Sequence, residues 1–216
     1  MSTALPKNYE QIQRNYTSDS RGTRMGRRVA KNAQEMAPYL KPPICCVGCG
    51  DGWEVEQLSQ ALGIQRAEIQ GNILGVEVTK DRVSVAQANN LPVVEGAAEN
   101  LADIVGDTKY NIYCAHTLEH CFDRKIVVEN FKKIALDTIV IIVPVEIRGR
   151  TRNRAHYSPI SNLGVIANLF GMDWKTVNMS YRYNIELEGV LVLKRDPMNW
   201  PRKSEGRSSD LLITGV

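Results

Sequence analysis

The sequence has no hydrophobic run long enough to cross a membrane. Its longest apolar stretch, 139–145, is far shorter than the roughly 20 residues that a membrane helix requires. The first residues, MSTALPKNYEQIQRNY, contain no apolar segment typical of a secretory signal. We therefore expect neither a membrane partner nor a signal peptide.

Cysteine is sparse and odd in number, with five residues in the chain. An odd count argues against a disulfide framework and predicts a reducing, cytoplasmic location. Cys46 and Cys49 have the spacing of half a zinc site, but the sequence has no second pair of that kind. Because structural zinc sites usually offer four ligands, we predict no metal there and interpret these cysteines as small buried residues.

A net charge of +3 is too small to favour a nucleic-acid partner. The basic residues nevertheless form two clusters, one N-terminal and one in the arginine-rich segment: Arg14, Arg21, Arg24, Arg27, Arg28 and Lys31, then Arg148, Arg150, Arg152 and Arg154. The N-terminal cluster is a candidate lid over a ligand or a surface for a protein partner. The arginine-rich segment could bind a phosphate or carboxylate, although a solvated loop is the favoured interpretation.

Strands and helices alternate through most of the chain. The patterns predict strands at 44–47, 72–78, 92–95, 110–115 and 138–143, helices at 23–37, 53–62, 80–89, 123–135 and 159–170, and a hairpin of 174–183 with 185–194. Strands without polar alternation are covered on both faces, as in parallel sheets. We therefore predict an α/β fold, with a doubly wound, mostly parallel Rossmann-like sheet closed by a C-terminal antiparallel hairpin in a three-layer sandwich.

The composition divides the chain into three segments. We predict an N-terminal arm and helix at 1–40, a main domain at 41–195 and a polar C-terminal tail at 196–216.

The first predicted strand runs into a glycine loop, Gly48-Cys49-Gly50-Asp51-Gly52. Glycine adopts positive φ and allows a ligand to approach the backbone, and the helix that follows offers free N–H groups. Glu77 ends the second predicted strand, where a carboxylate can accept hydrogen bonds from ribose hydroxyls. The alternatives are a tight turn without a ligand and a solvated carboxylate.

The fourth predicted strand runs into His116-Thr117-Leu118-Glu119-His120. Two histidines four residues apart can bind a metal on a helix, yet no third ligand is evident, and no metal is predicted. Glu119 and the histidines are candidates to line a reaction site. Alternatively, Leu118 packs in the core while the histidines bond locally.

Together, VGCGDG, HTLEH and the terminal hairpin resemble the class I S-adenosylmethionine-dependent methyltransferases, in the small-molecule-type branch, over residues 44–194. The resemblance implies transfer of a methyl group from S-adenosyl-L-methionine. The glycine loop would surround the methionine part of this cofactor, and Glu77 would hold the ribose. The full implied cofactor set is Gly48, Cys49, Gly50, Asp51, Gly52, Glu77, Val78, Ala97, Ala98, Glu99, His116, Thr117 and Leu118, with Ala97 to Glu99 beside the adenine and His116 to Leu118 beside the methyl group.

Three positions depart from the family pattern. Cys46, Ala97 and Asn111 stand where family members usually carry acidic residues. Neighbouring carboxylates at Glu95, Glu99 or Asp51 could compensate. A nicotinamide dinucleotide enzyme is disfavoured, because its third fingerprint glycine is replaced by Trp53.

The methyl acceptor is predicted to be a small molecule, with an anionic group if the arginine-rich segment binds it. The runs that mark DNA-base methylases are missing from the sequence. A hydroxyl acceptor needs a general base, and histidine titrates near neutrality. We predict His116 or His156 as this base. The alternative is a catalytically silent methyltransferase-like module that binds a partner or joins a larger assembly.

Overall fold

The computed structural model of the protein describes residues 24–146, 156–183 and 186–197. The predicted arm, the arginine-rich segment, the hairpin turn and most of the predicted tail lie outside the described residues.

Seven strands form one sheet in the described part of the chain. They are β1 Ile44–Val47, β2 Ile73–Glu77, β3 Val93–Glu95, β4 Tyr110–Ala115, β5 Ala135–Pro144, β6 Trp174–Tyr183 and β7 Leu187–Arg195. Their order is β3-β2-β1-β4-β5-β7-β6. The neighbours among β1 to β5 pair in parallel, whereas β7 runs antiparallel to both β5 and β6. The predicted fold class is confirmed, hairpin included.

The described helices are α1 Arg24–Met36, α2 Trp53–Ala61, α3 Ile69–Asn72, α4 Lys80–Ala88, α5 Leu101–Val105, α6 Arg124–Ile134 and α7 Leu163–Phe170. Five of these were predicted, whereas the short helices α3 and α5 were not. Helix α7 begins later than predicted, because the Asn162 side chain accepts a hydrogen bond from the Val165 N–H and caps the helix there. None of the described helices combines the length and apolarity needed to span a bilayer.

The sheet separates two hydrophobic cores. On β5, Ile139 and Ile141 pack into one core, whereas Val140 and Ile142 pack into the other. Successive strand side chains point to opposite faces, so burial on both faces requires apolar residues at consecutive positions. This explains the unbroken apolar runs in the sequence.

The cysteines are packing residues of these cores. All five are free and buried, and burial raises the pKa of the Cys45 thiol to about 12. Buried thiols of this kind are unreactive small hydrophobic groups, as predicted for the pair at Cys46 and Cys49.

The strand order reverses between β1 and β4. In open α/β sheets, ligands bind outside the carboxyl ends of the strands at such a reversal. The glycine loop after β1, Glu77 at the end of β2 and His116 after β4 all belong to this edge.

Candidate active site

The three glycines of the loop all have positive φ, but they differ in the space that the described residues leave around them. A Cβ on Gly48 would lie 2.0 Å from the Thr117 hydroxyl, and one on Gly52 would lie 2.4 Å from a methyl group of Leu91. Within the described part of the chain, the nearest atom to a Cβ on Gly50 would be an Arg82 nitrogen at 3.7 Å. Gly48 and Gly52 are therefore required by packing, whereas the backbone at Gly50 is open to a ligand.

The Glu77 carboxylate faces the glycine loop. Its Oε2 accepts a hydrogen bond from the Gly50 N–H at 3.0 Å, and its Oε1 accepts one from the Thr79 N–H at 2.9 Å. The side chain is buried, with 4% exposure. Each carboxylate oxygen has two lone pairs, so these backbone bonds leave acceptor capacity at the edge of the loop. A buried, oriented carboxylate is suited to bind vicinal hydroxyls.

The other loop residues contribute mainly backbone. The Cys49 side chain is buried at 2% exposure, and the Asp51 Oδ1 accepts a hydrogen bond from the Trp53 N–H at 3.3 Å at the start of α2. Val78 is half-buried directly after Glu77. Contacts of these residues with a cofactor stay predictions.

The residues predicted to lie beside the adenine ring follow β3 and are buried. Ala97 and Ala98 are 5% and 8% exposed. The Glu99 Oε1 accepts hydrogen bonds from the Phe122 and Asp123 N–H groups at 2.7 and 3.4 Å. The Glu99 carboxylate therefore anchors the segment before α6, and its contact with an adenine ring stays a prediction.

A carboxyl group lies beside Cys46, although none of the predicted compensating residues supplies it. The Cys46 thiol lies 3.7 Å from Oε2 of Glu54, in the first turn of α2, and donates a hydrogen bond to it. Burial raises the pKa of Glu54 to about 8. An acidic group that family members carry on the strand is thus present here on the following helix.

Asn111 lies far from the carboxyl edge, at the other end of β4. Its Nδ2 donates to the Lys41 carbonyl at 2.6 Å, and its Oδ1 accepts from the Thr138 N–H at 2.8 Å. The position needs a donor and an acceptor, which an asparagine amide provides. This departure from the family pattern is therefore structural.

His116 directly follows β4 and has a φ of +52°, a region that non-glycine residues seldom adopt. Its Nε2 lies 3.1 Å from Oε1 of Glu188. Burial lowers the pKa of His116, which opposes the effect of the Glu188 hydrogen bond. Next to it, the Thr117 hydroxyl donates to the Val47 carbonyl at 3.2 Å. Leu118 is fully buried in the core, so its side chain packs as the alternative interpretation proposed.

Glu188 on β7 is the centre of a buried ionic cluster. It is 0% exposed, and its carboxylate lies 3.0 Å from Nε of Arg182 and 3.7 Å from Nε of Arg28. Although burial raises the pKa of Glu188, the hydrogen bond and charge of His116 and the two arginines lower it overall. The cluster joins α1, β6 and β7 to His116.

A second polar cluster lies beside the first. Single ligand atoms of Glu119, His120 and His156 all lie within 4.8 Å of one another. The His120 and His156 rings meet edge to face, with centroids 4.8 Å apart. Nδ1 of His156 contacts Oε1 of Glu146, just after β5. Glu119 and His120 lie between the two predicted bases, His116 and His156. Oε1 of Glu119 lies 3.8 Å from Nδ1 of His116 and 3.8 Å from Nε2 of His120, whose ring contacts His156.

Sequence reasoning missed the groups that hold these histidines. Glu188, Arg28 and Glu146 are distant from HTLEH in the chain. A charged residue inside the apolar strand sequence LEGVLVLK was the available signal for Glu188, because buried charges are usually paired. Arg28 and Glu146 carry no comparable signal.

No protein-family model matches the chain, and no curated protein is detectably similar to it in sequence. Solved structures are similar in fold. Magnesium protoporphyrin IX methyltransferase from Synechocystis PCC 6803, with bound SAH, has a TM-score of 0.61 at 12% identity over 91% of this chain and 90% of that chain. The plantazolicin methyltransferase BpumL, in complex with SAH, has a TM-score of 0.61 at 13% identity over 88% and 91%. A putative methyltransferase of Haloferax volcanii, in complex with its activator Trm112, has a TM-score of 0.64 at 13% identity over 89% and 99%. The chain thus has the fold of class I methyltransferases.

Proposed function

We propose that the protein is an S-adenosylmethionine-dependent methyltransferase acting on a small molecule. The observation that carries this proposal is the bond between Glu77 and the Gly50 N–H in the crevice of a methyltransferase sheet. Two of the structurally similar methyltransferases hold SAH, which supports the choice of cofactor.

The described residues fit this cofactor. A buried carboxylate with spare acceptor capacity, Glu77, suits the ribose hydroxyls, and the open backbone at Gly50 gives the methionine part room to approach. When bound, S-adenosylmethionine supplies a methyl group already activated on sulfonium. The residues of the chain must then orient the acceptor and exclude water.

We assign the general base for a hydroxyl acceptor to His116. Its lowered pKa leaves the ring neutral near pH 7, so that it can take a proton from the acceptor. Glu188 contacts its Nε2 and fixes the orientation of the ring. His156, the second histidine predicted from the sequence, is held by Glu146 and belongs to the neighbouring cluster.

The acceptor, the anionic character of the substrate and a protein partner for the N-terminal arm stay predictions from the sequence. A cytoplasmic location rests on cysteine usage alone. A silent binding module was suggested by the replaced acidic positions, the basic arm and the polar tail. Glu54 beside Cys46 and the structural bonds of Asn111 weaken that alternative.

Methyl transfer can be tested with S-adenosylmethionine labelled in the methyl group and a fractionated cell extract. We expect label in a small-molecule fraction, and a loss of about 10²–10⁴-fold in His116→Ala. An exposed change such as Glu129→Ala serves as the control. Binding of the cofactor without label in any fraction would favour the silent module, and label in a protein or RNA fraction would overturn the substrate class.

A further inference from the structure

The second polar cluster combines residues from two separate segments. Glu119 and His120 follow β4, and His156 lies beyond β5, yet their ligand atoms lie within 4.8 Å of one another. Zinc binds histidine nitrogen and carboxylate oxygen at about 2.0–2.2 Å, so ligands on opposite sides of an ion are about 4 Å apart. Small side-chain rotations would bring all three groups around one ion.

The Glu119 carboxylate lies beside the histidines of this cluster, and one of its two oxygens is unsatisfied. The residue is 1% exposed, and its Oε2 has no hydrogen-bond partner among the residues that the structure describes. Its Oε1 is 3.8 Å from the nearest histidine nitrogens, which is too long for a hydrogen bond. A cation would satisfy the orphaned oxygen.

Glu146 orients one of the histidines. It contacts Nδ1 of His156, so that Nε2 is the ring nitrogen that would coordinate an ion. Metal-binding histidines usually make such a bond from their second nitrogen to a carboxylate, which fixes the tautomer.

We propose that Glu119, His120 and His156 bind a divalent first-row transition-metal ion, with Glu146 as a positioning residue. Two imidazoles and one carboxylate leave coordination positions open, as in catalytic rather than structural sites. If the proposed function holds, an ion held here would lie close to His116 through Glu119 and could bind an oxygen of the acceptor. The sequence predicted no metal because the third ligand lies 36 residues after His120.

Calorimetric titration of the tag-free full chain with Co²⁺ tests the site without any methyl transfer. We expect one ion per chain and a loss of affinity of at least about 100-fold in His156→Ala and in Glu119→Gln. Glu146→Gln should weaken binding by about 10–100-fold. Glu129→Gln, on the exposed face of α6, is the matched control and should bind as the wild type does.

A measurement on the wild type keeps the test valid if a variant fails to fold. X-ray absorption of the Co²⁺-loaded protein should show nitrogen and oxygen ligands that include two imidazoles. Sulfur ligands, no binding at 1 mM Co²⁺, or equal affinity in folded His156→Ala would each overturn the proposal. Titration with S-adenosylmethionine in the presence of a chelator tests the cofactor separately, so that failure of the metal site and failure of the methyltransferase proposal are distinguishable.

Discussion

At the residue scale, Glu54 is an ionisable group in an unfavourable position. It is half-buried at the start of α2, and burial raises the pKa of its carboxyl to about 8. The groups that face it are the Cys46 thiol, the cations Arg28 and Arg82, and the Glu77 carboxylate. The arginines and the thiol oppose the effect of burial without overcoming it.

This position predicts a pH dependence of stability. Between the ordinary pKa of glutamate and about 8, the unfolded chain loses the Glu54 proton while the folded protein keeps it. The folded state therefore binds more protons, and its stability falls as the pH rises through this range. Relative to that of Glu54→Gln, the free energy of unfolding of the wild type should fall by up to about 1.4 kcal/mol for each unit of rising pH.

Urea unfolding of both proteins at pH 5, 6.5 and 8 measures this difference. The stability of Glu54→Gln relative to the wild type should increase as the pH rises. Glutamine keeps a hydrogen-bond acceptor for the Cys46 thiol but does not become charged. A constant difference across the three pH values would mean that the folded protein does not raise the pKa of Glu54.

At the element scale, Asn111 fixes the start of β4 between two neighbours. It bonds the Lys41 carbonyl before β1 and the Thr138 N–H on β5. The residue is 3% exposed, so both bonds are protected from water.

Asn111→Asp should therefore destabilise the protein, although aspartate is the usual family residue. A carboxylate cannot donate to the Lys41 carbonyl, and a buried unsatisfied group costs about 1–3 kcal/mol. We expect a loss of that size in denaturant unfolding at pH 7, with cofactor affinity unchanged because the residue lies far from the carboxyl edge. A neutral or stabilising effect would contradict this assignment.

Most elements could be predicted because each has its own local signal. The apolar runs of β1 and β4 and the turns around the glycine loop agree with the structure within a residue. The helices α3 and α5 have only four and five residues, too few to produce a hydrophobic period. Strand β5 begins earlier than predicted, at Ala135, because Leu136 and Asp137 are exposed residues of a strand continuing past the core.

At the scale of the whole molecule, Glu188 connects the N-terminal helix to the sheet. Its fully buried carboxylate lies between Arg28 on α1 and Arg182 on β6, with His116 as a third partner. Arg182 also contacts Asn32 and Glu35 on α1. The helix is therefore held against the hairpin by ionic rather than apolar contacts on this side.

Glu188→Ala should loosen α1 as well as lower overall stability. Removing one member of a buried ionic cluster leaves the others uncompensated, at about 3–5 kcal/mol. Amide hydrogen exchange should become faster in 24–36 than in the strands β1 and β4, whereas Glu129→Ala should leave both unchanged. Equal acceleration everywhere would show that Glu188 does not hold α1 specifically.

The candidate site was only partly predictable from the sequence. Residues at the strand ends, such as Gly50, Glu77 and His116, follow from the local pattern and the topology of the sheet. Glu188, the partner of His116, lies 72 residues further along the chain and meets it only in the tertiary fold. Glu146 lies ten residues before His156, but no local pattern in the sequence indicates their contact. The separation of 36 residues between His120 and His156 likewise concealed the third ligand of the proposed metal site.

Calorimetry with S-adenosylmethionine on Glu77 variants tests the central claim most directly. Loss of a charged hydrogen bond is worth about 1.5–3 kcal/mol, so Glu77→Ala should weaken binding by about 10–150-fold, with Glu77→Gln between it and the wild type. Glu129→Ala is the control, and circular dichroism confirms that each variant is folded. The proposed cofactor site would be contradicted if folded Glu77→Ala bound S-adenosylmethionine as tightly as the wild type does. It would also be contradicted if the wild type did not bind the cofactor at millimolar concentration.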